Sequence, residues 1–242
     1  AIDVTWPATI VPDGGSPVTE YKIQVTPDIN GQSEFSTSST SWRADHLTNG
    51  TAYRFRIKAL NRYAENNVAR ESEYLWSEYS APEVPAGAPT GQGAPTVNKN
   101  KASGAKPSAT VSWGAPSDAN GDRSFVYELR ERGSSEVTYR GSDASAAVTM
   151  NVSAEDKTFE VRVTNKSGLW SEWSPASNAI RAFQPPGAPG NLKITPTGAS
   201  NTVRFSFNAS DGKGAKADEI RYRWSAGGAS GYITNGETQV NG

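Results

Sequence analysis

The stretch His46-Leu-Thr-Asn-Gly-Thr-Ala-Tyr-Arg-Phe-Arg-Ile-Lys-Ala-Leu-Asn61 decides how the chain is read. A Gly-Thr turn is followed by Tyr53, Phe55 and Ile57 at every second position, with Arg54, Arg56 and Lys58 between them. A period of two puts the aromatic and aliphatic side chains on one face of a β-strand and the cations on the other. The same alternation recurs in Ile2, Val4 and Trp6 and again in Phe159, Val161 and Val163. Turn residues fall between these runs, the 242 residues include 23 Gly and 15 Pro, and no window carries a helical stripe, so an all-β chain is expected.

The pattern repeats at module scale. Trp6 and Trp113 are 107 positions apart, while Tyr21 and Tyr127, and Tyr53 and Phe159, are each 106 apart. A third copy follows, with Phe207 in the place of the Trp and an Asp-Gly turn behind it. Pro/Ala/Gly-rich connectors, Val84 to Pro95 and Phe183 to Gly190, separate the copies. Three modules are therefore expected at 1–86, 87–186 and 187–242. The first opens without a first strand and the third stops before its sixth, so exposed edges and a poorly filled third core are expected.

Leu47, the Gly50-Thr51 turn, Tyr53 and the alternation that ends in Ala59 and Asn61 resemble the end of the fifth strand and the whole sixth strand of a fibronectin type III module. That resemblance implies tandem β-sandwiches in which the Trp and Tyr of the second and third strands pack between two sheets. It also gives Leu47 and Tyr53 the roles of a tyrosine corner, whose hydroxyl bond the second copy must lack because Phe159 stands there. Gly168-Leu-Trp-Ser-Glu-Trp-Ser-Pro175 resembles the Trp-Ser-x-Trp-Ser box of cytokine receptors, and Leu75-Trp-Ser-Glu-Tyr-Ser80 is its echo. The connectors and the absence of cysteine are similar to repeat-bearing surface proteins of Gram-positive actinobacteria such as bifidobacteria.

Residues three apart in a polyproline II segment share a side, so Trp170 and Trp173 would face outward together and Arg162 would slot between them. Trp76 and Tyr79 would meet Arg54, Arg56 and Lys58 in the same way. The box, with Ser171 and Ser174, is thus read first as a clasp that stiffens its own module. A binding surface is sought beside it. From the sixth strand to the box the second copy takes seven positions, Val163 to Trp170, and the first takes nineteen, Ile57 to Trp76. The extra twelve residues bring Arg62, Tyr63, Arg70 and Tyr74 among glutamates, and these, with Arg54, Arg56 and Lys58, are the candidate contacts for a partner.

Other chemistry is thin. Twenty-four basic and 25 acidic residues give no field that would draw nucleic acid, and no apolar run is long enough to span a bilayer. With no Cys and one His, His46 in a turn, no thiolate site, catalytic triad or cofactor site is expected, and the chain reads as a non-enzyme. Asp118, Asn120 and Asp122 imitate a calcium loop, but Arg123 stands where glycine is needed, so they read as a turn. Asn49, Asn151, Asn165 and Asn208 head sequons of the kind that chance supplies. The expected role is an extracellular protein-binding or adhesion module on a bacterial surface, with a host protein as ligand and a cytokine as the first candidate. The alternatives are a structural spacer and a glycan-binding accessory to a polysaccharide-degrading enzyme.

Overall fold

The computed structural model describes residues 1–10, 15–65, 68–99, 107–199, 202–226, 228–234 and 237–241, and it is all-β. Two compact units are formed. One holds Ala1–Thr90 with Asp118–Phe125 and Thr164–Ser171; the other holds Gly91–Ser117, Val126–Val163 and Glu172–Gly242.

In the first strand set, β1 (Ile2–Thr5), β2 (Val18–Ile29), β3 (Gln32–Thr37), β4 (Ser41–Ala44) and β5 (Arg54–Asn61) make two sheets, β1-β4 and β3-β2-β5. All pairings are antiparallel, with Ile23 opposite Ile57 and Val25 opposite Phe55. Tyr21, Ile23 and Val25 alternate inward along β2 as the period of two requires, and they bury against Ala44, Tyr53 and Phe55 with Trp6, Trp42 and Leu47 packed around them. The Tyr53 hydroxyl accepts the Thr48 N–H at 3.0 Å, which satisfies a turn donor that no strand could reach. Tyr53→Phe should cost about 1 kcal/mol, read as a lower Tm and faster exchange of the Thr48 amide.

The second set runs β6 (Thr96–Lys99), β7 (Ser108–Ser112), β8 (Val126–Glu131), β9 (Val137–Gly141), β10 (Ser145–Thr149), β11 (Asp156–Lys157), β12 (Phe159–Thr164) and β13 (Ile180–Arg181). Its sheets are β10-β7-β6, β12-β8-β9 and the short pair β11-β13. Val97, Val111, Trp113, Leu129, Val148, Phe159, Val161 and Val163 are all buried.

The third set has β14 (Gly190–Pro196), β15 (Thr202–Asn208), β16 (Tyr222–Ala226), β17 (Ala229–Ile233) and β18 (Glu237–Asn241), ordered β14-β15-β18 and β16-β17. Its inner packing is sparse. Phe205 and Ile220 are buried, but every residue of β14 is exposed. One aromatic pair marks the same place in each set: Trp6 on Tyr21 at 5.4 Å, Trp113 on Tyr127 at 5.7 Å and Phe207 on Tyr222 at 4.7 Å. The substitution of Phe207 for Trp therefore keeps the pair that locks the strands together.

Two burial expectations change. Trp6 and Ile57 are only partly buried, whereas Lys58 and Leu60 are buried although they share the outward phase of β5. Lys58 is covered by the segment that follows β5, a helical turn α1 (Arg62–Glu65) and a 3₁₀ turn, Val68–Glu73, whose Glu71 reaches back to it.

Candidate functional site

A strand beside β5 or β12 must answer that strand's outward N–H and C=O groups. Neither box forms such a strand, yet the groups are answered. The Ser174 N–H donates to the Val161 carbonyl at 2.8 Å, and the Val161 N–H donates to Ser174 Oγ at 3.0 Å. Ser177 repeats the exchange with Phe159, both bonds 2.9 Å. In the first unit Ser77 pairs with Ile57 and Ser80 with Phe55, N–H to carbonyl at 2.8 Å and N–H to hydroxyl at 3.1 Å in each case. Each hydroxyl then donates to the carbonyl one residue on, in Glu78, Ala81, Pro175 and Asn178. A serine side chain thus takes the place of a backbone acceptor, and three box residues match two strand residues. Ser77, Ser80 and Ser177 were not singled out from the sequence, although their spacing of three was visible in it.

The rings stack on cations. Arg56 lies over Trp76 at 5.1 Å and over Tyr79 at 4.7 Å, and Lys58 lies over Trp76 at 4.7 Å. Arg162 lies over Trp173 at 4.7 Å and Arg130, from β8, at 3.9 Å. Carboxylates hold these cations in turn: Glu128 binds Arg162 at 2.6 Å and Glu160 binds Arg130 at 2.7 Å, both acids being buried. In the first unit Arg56 donates to Gln24 at 2.7 Å and the Tyr79 hydroxyl to the same Gln24 oxygen at 3.1 Å. Trp170 bridges to Thr164, whose hydroxyl donates to the Leu169 carbonyl.

Of the candidate partner contacts, Lys58 is buried and paired with Glu71 at 3.1 Å, and Arg56 is committed to its rings, so both belong to the clasp rather than to an open surface. Arg54 and Arg62 are exposed. The side chain of Arg70 lies outside the described residues. Glu71 also reaches Lys22 at 3.9 Å, and Asn61 Oδ1 accepts the Tyr63 N–H at 3.1 Å and the Tyr74 hydroxyl at 2.7 Å. The insertion is thereby fastened to the sheet at both ends. Beside it runs a groove of about 280 Å³ lined by Thr9, Ile10, Val18, Leu60, Asn61 and Tyr74. Ile10 is 91% exposed, Leu75 87% and Tyr63 51%.

The turn Asp118–Asp122 spends its polar atoms locally. Asp118 caps the Asn120 N–H at 2.8 Å, and Asn120 donates to the Ala88 carbonyl and accepts from Asn49. The Ser124 hydroxyl, with the Ser124 and Lys166 N–H groups, holds the Asp122 carboxyl below its ordinary range. Gly121 has φ near +99°, and a Cβ there would stand 2.6 Å from the Pro85 carbonyl. Asn165 is buried, its amide donating to the Gly87 and Ala119 carbonyls, so that sequon is closed in the fold.

Residues 1–73 match the family model of the Fibronectin type III domain. That stretch is a fibronectin type III domain. Among solved structures the chain is similar to chicken CNTN1 FN1-FN3 domains, at 17% identity over 94% of this chain and 81% of that one, with a TM-score of 0.33. It is also similar to a multidomain titin fragment, at 16% identity over 69% of this chain and 56% of that one, with a TM-score of 0.43. Fibronectin type III modules are of a generic protein-interaction or spacer type. No helix among the described residues is long and apolar enough to cross a membrane.

Proposed function

We propose that the chain is an extracellular protein-binding module of a bacterial surface protein, without enzymatic activity, and that it takes its partner at the Asn61–Leu75 segment. The observation that carries this is the fastening of that segment. Glu71 on Lys58 and Tyr74 on Asn61 hold it, Ile10 and Tyr74 line the groove, and Tyr63 and Leu75 are exposed. Ordered aromatic and aliphatic side chains bind with little entropy loss. The clasp sets the far end of the segment, while its covered rings make poor platforms for glycan.

Residues 1–86 carry 7 basic and 11 acidic side chains, so a host protein with a basic patch, a cytokine first, is the partner to try. A spacer role draws on a separate observation. Connector N–H groups at Gly87 and Thr90 donate to the Asn120 and Asp118 carbonyls, and Gln184 and Gly187 donate to Lys213 and Asp211 in the same register. Connectors bonded in this way suit a spacer.

The test is surface plasmon resonance against a panel of host cytokines. The intact chain is compared with Tyr63→Ala/Leu75→Ser, both exposed and tolerant of change, and with a chain whose insertion is cut to the second copy's length. Loss of at least roughly tenfold in Kd for the double variant, with an unchanged melt, is expected. Equal binding by both variants would reduce the segment to a tolerated insertion, and a flat panel would leave the spacer role.

A further inference from the structure

The outer face of the first strand set carries a lysine where the second carries an acid. In the second set Arg162 of β12 meets Glu128 of β8 at 2.6 Å and lies over Trp173. In the first set the same places hold Lys58 of β5, over Trp76 at 4.7 Å, and Lys22 of β2, directly opposite it in register. Tyr21 precedes Lys22 as Tyr127 precedes Glu128, and Ser77 bonds Ile57, just before Lys58, as Ser174 bonds Val161, just before Arg162. Like charges facing each other across strands repel. The Lys58 side chain is also only 9% exposed, so its ammonium needs a counter-charge. That charge comes from elsewhere in the chain: Glu71, on the 3₁₀ turn Val68–Glu73, stands 3.1 Å from Lys58 and 3.9 Å from Lys22. The second set, which keeps its acid on the neighbouring strand, has the shorter connection to its box.

We infer that Lys22, Lys58 and the Trp76 ring form a carboxylate-binding site, that Glu71 fills it from within as the lock of a strap, and that its external ligand is an acidic peptide segment. The Glu71 side chain is 27% exposed, so solvent reaches the lock and a second carboxylate can compete for the two ammonium groups. Its tether gives Glu71 an effective concentration that a free carboxylate must exceed, and the intact chain holds the site closed against weak competitors. Tyr74 rides the same strap, its N–H on the Glu71 carbonyl at 3.2 Å, and it lines the groove beside Ile10. A ligand that displaces Glu71 therefore takes Tyr74 with it. The lysine site thus controls the groove, and in that respect alone it rests on the function proposed above.

The intact chain and its variants are titrated into fluorescein-labelled hexaglutamate at low salt, anisotropy is read, and exchange of the Tyr74 amide is followed in parallel. Glu71→Gln is expected to bind at least roughly tenfold more tightly than the intact chain and to speed exchange at Tyr74. Lys22→Glu restores the pairing of the second set, so its melt should hold while the Tyr74 amide still exchanges faster, a separation that a merely structural Glu71 would not produce. Glu71→Gln with Lys22→Glu should bind no more tightly than the intact chain. Equal binding by the intact chain and Glu71→Gln would overturn the inference, as would a Tyr74 amide still protected in Lys22→Glu. So would tight binding that survives in the double variant, the mark of general attraction to surface cations. Should Glu71→Gln fail to fold, the exchange measured in Lys22→Glu decides. Neither readout uses the cytokine panel, so a flat panel leaves both standing.

Discussion

Ser174→Ala combined with Ser177→Ala is expected to lower the stability of the second unit by roughly 2–5 kcal/mol. Each hydroxyl is the acceptor for a strand N–H that the fold has sealed from water, Val161 and Phe159 respectively. A buried donor stripped of its acceptor costs about 1–3 kcal/mol, more than the bond itself contributes when both partners are in place. Alanine also removes the hydroxyl's own donation to Pro175 or Asn178, so the box loses its turn as well as its grip. At about 2–8 °C per kcal/mol over the range of domain sizes that brackets this unit, the Tm should fall by at least about 4 °C. Hydrogen exchange at the Phe159 and Val161 amides should accelerate before the rest of β12. The matched pair in the first unit, Ser77→Ala with Ser80→Ala, serves one exposed and one partly buried bond and should cost less. An equal loss in the two units would mean that the serines act through packing and not as substitute acceptors.

Arg162→Ala is expected to destabilise by about 3 kcal/mol or more, because it leaves a buried carboxylate without its close cation. Glu128 is 5% exposed and bonded to Arg162 Nε at 2.8 Å and to its terminal nitrogen at 2.6 Å. Its second cation, Arg140, stands at 3.5 Å with a mostly exposed side chain and is screened by water. The stack on Trp173 is a smaller part, about 0.5–1 kcal/mol. A partner substitution separates the two: Arg162→Ala with Glu128→Leu should recover most of the loss, since no buried charge then remains. Arg132, 61% exposed at 4.0 Å from Glu160, is the control, and Arg132→Ala should be nearly silent. A silent Arg162→Ala, or a double variant as weak as the single, would show that Glu128 is hydrated in solution.

The two experiments separate what alternation along a strand determines from what assembly adds. Tyr53 to Ile57 and Phe159 to Val163 were legible as strands because a period of two has one geometric meaning whatever surrounds it. The 106-residue offsets gave away the repeat, and the aromatic pair present in all three copies follows from side chains that only a second-to-third strand contact can bury together. The Trp-Ser boxes pointed to rings on cations, and Arg162 does lie over Trp173 and Arg56 and Lys58 over Trp76, but Arg130, the nearer cation on Trp173, was not foreseen.

Tertiary structure decided the rest. Lys58 reads as an outward cation, yet it is buried, because the segment inserted after β5 brings Glu71 back onto it and burial depends on what arrives from elsewhere in the chain. The glutamates that hold the clasp, Glu128 and Glu160, come from neighbouring strands, β8 and β12, and each meets an arginine of the other strand, a pairing across the sheet that no local spacing encodes. The serines were in plain view as part of a motif. Their work as acceptors appears only when a box with three residues per step lies against a strand with two, a match that exists between segments and not within either one.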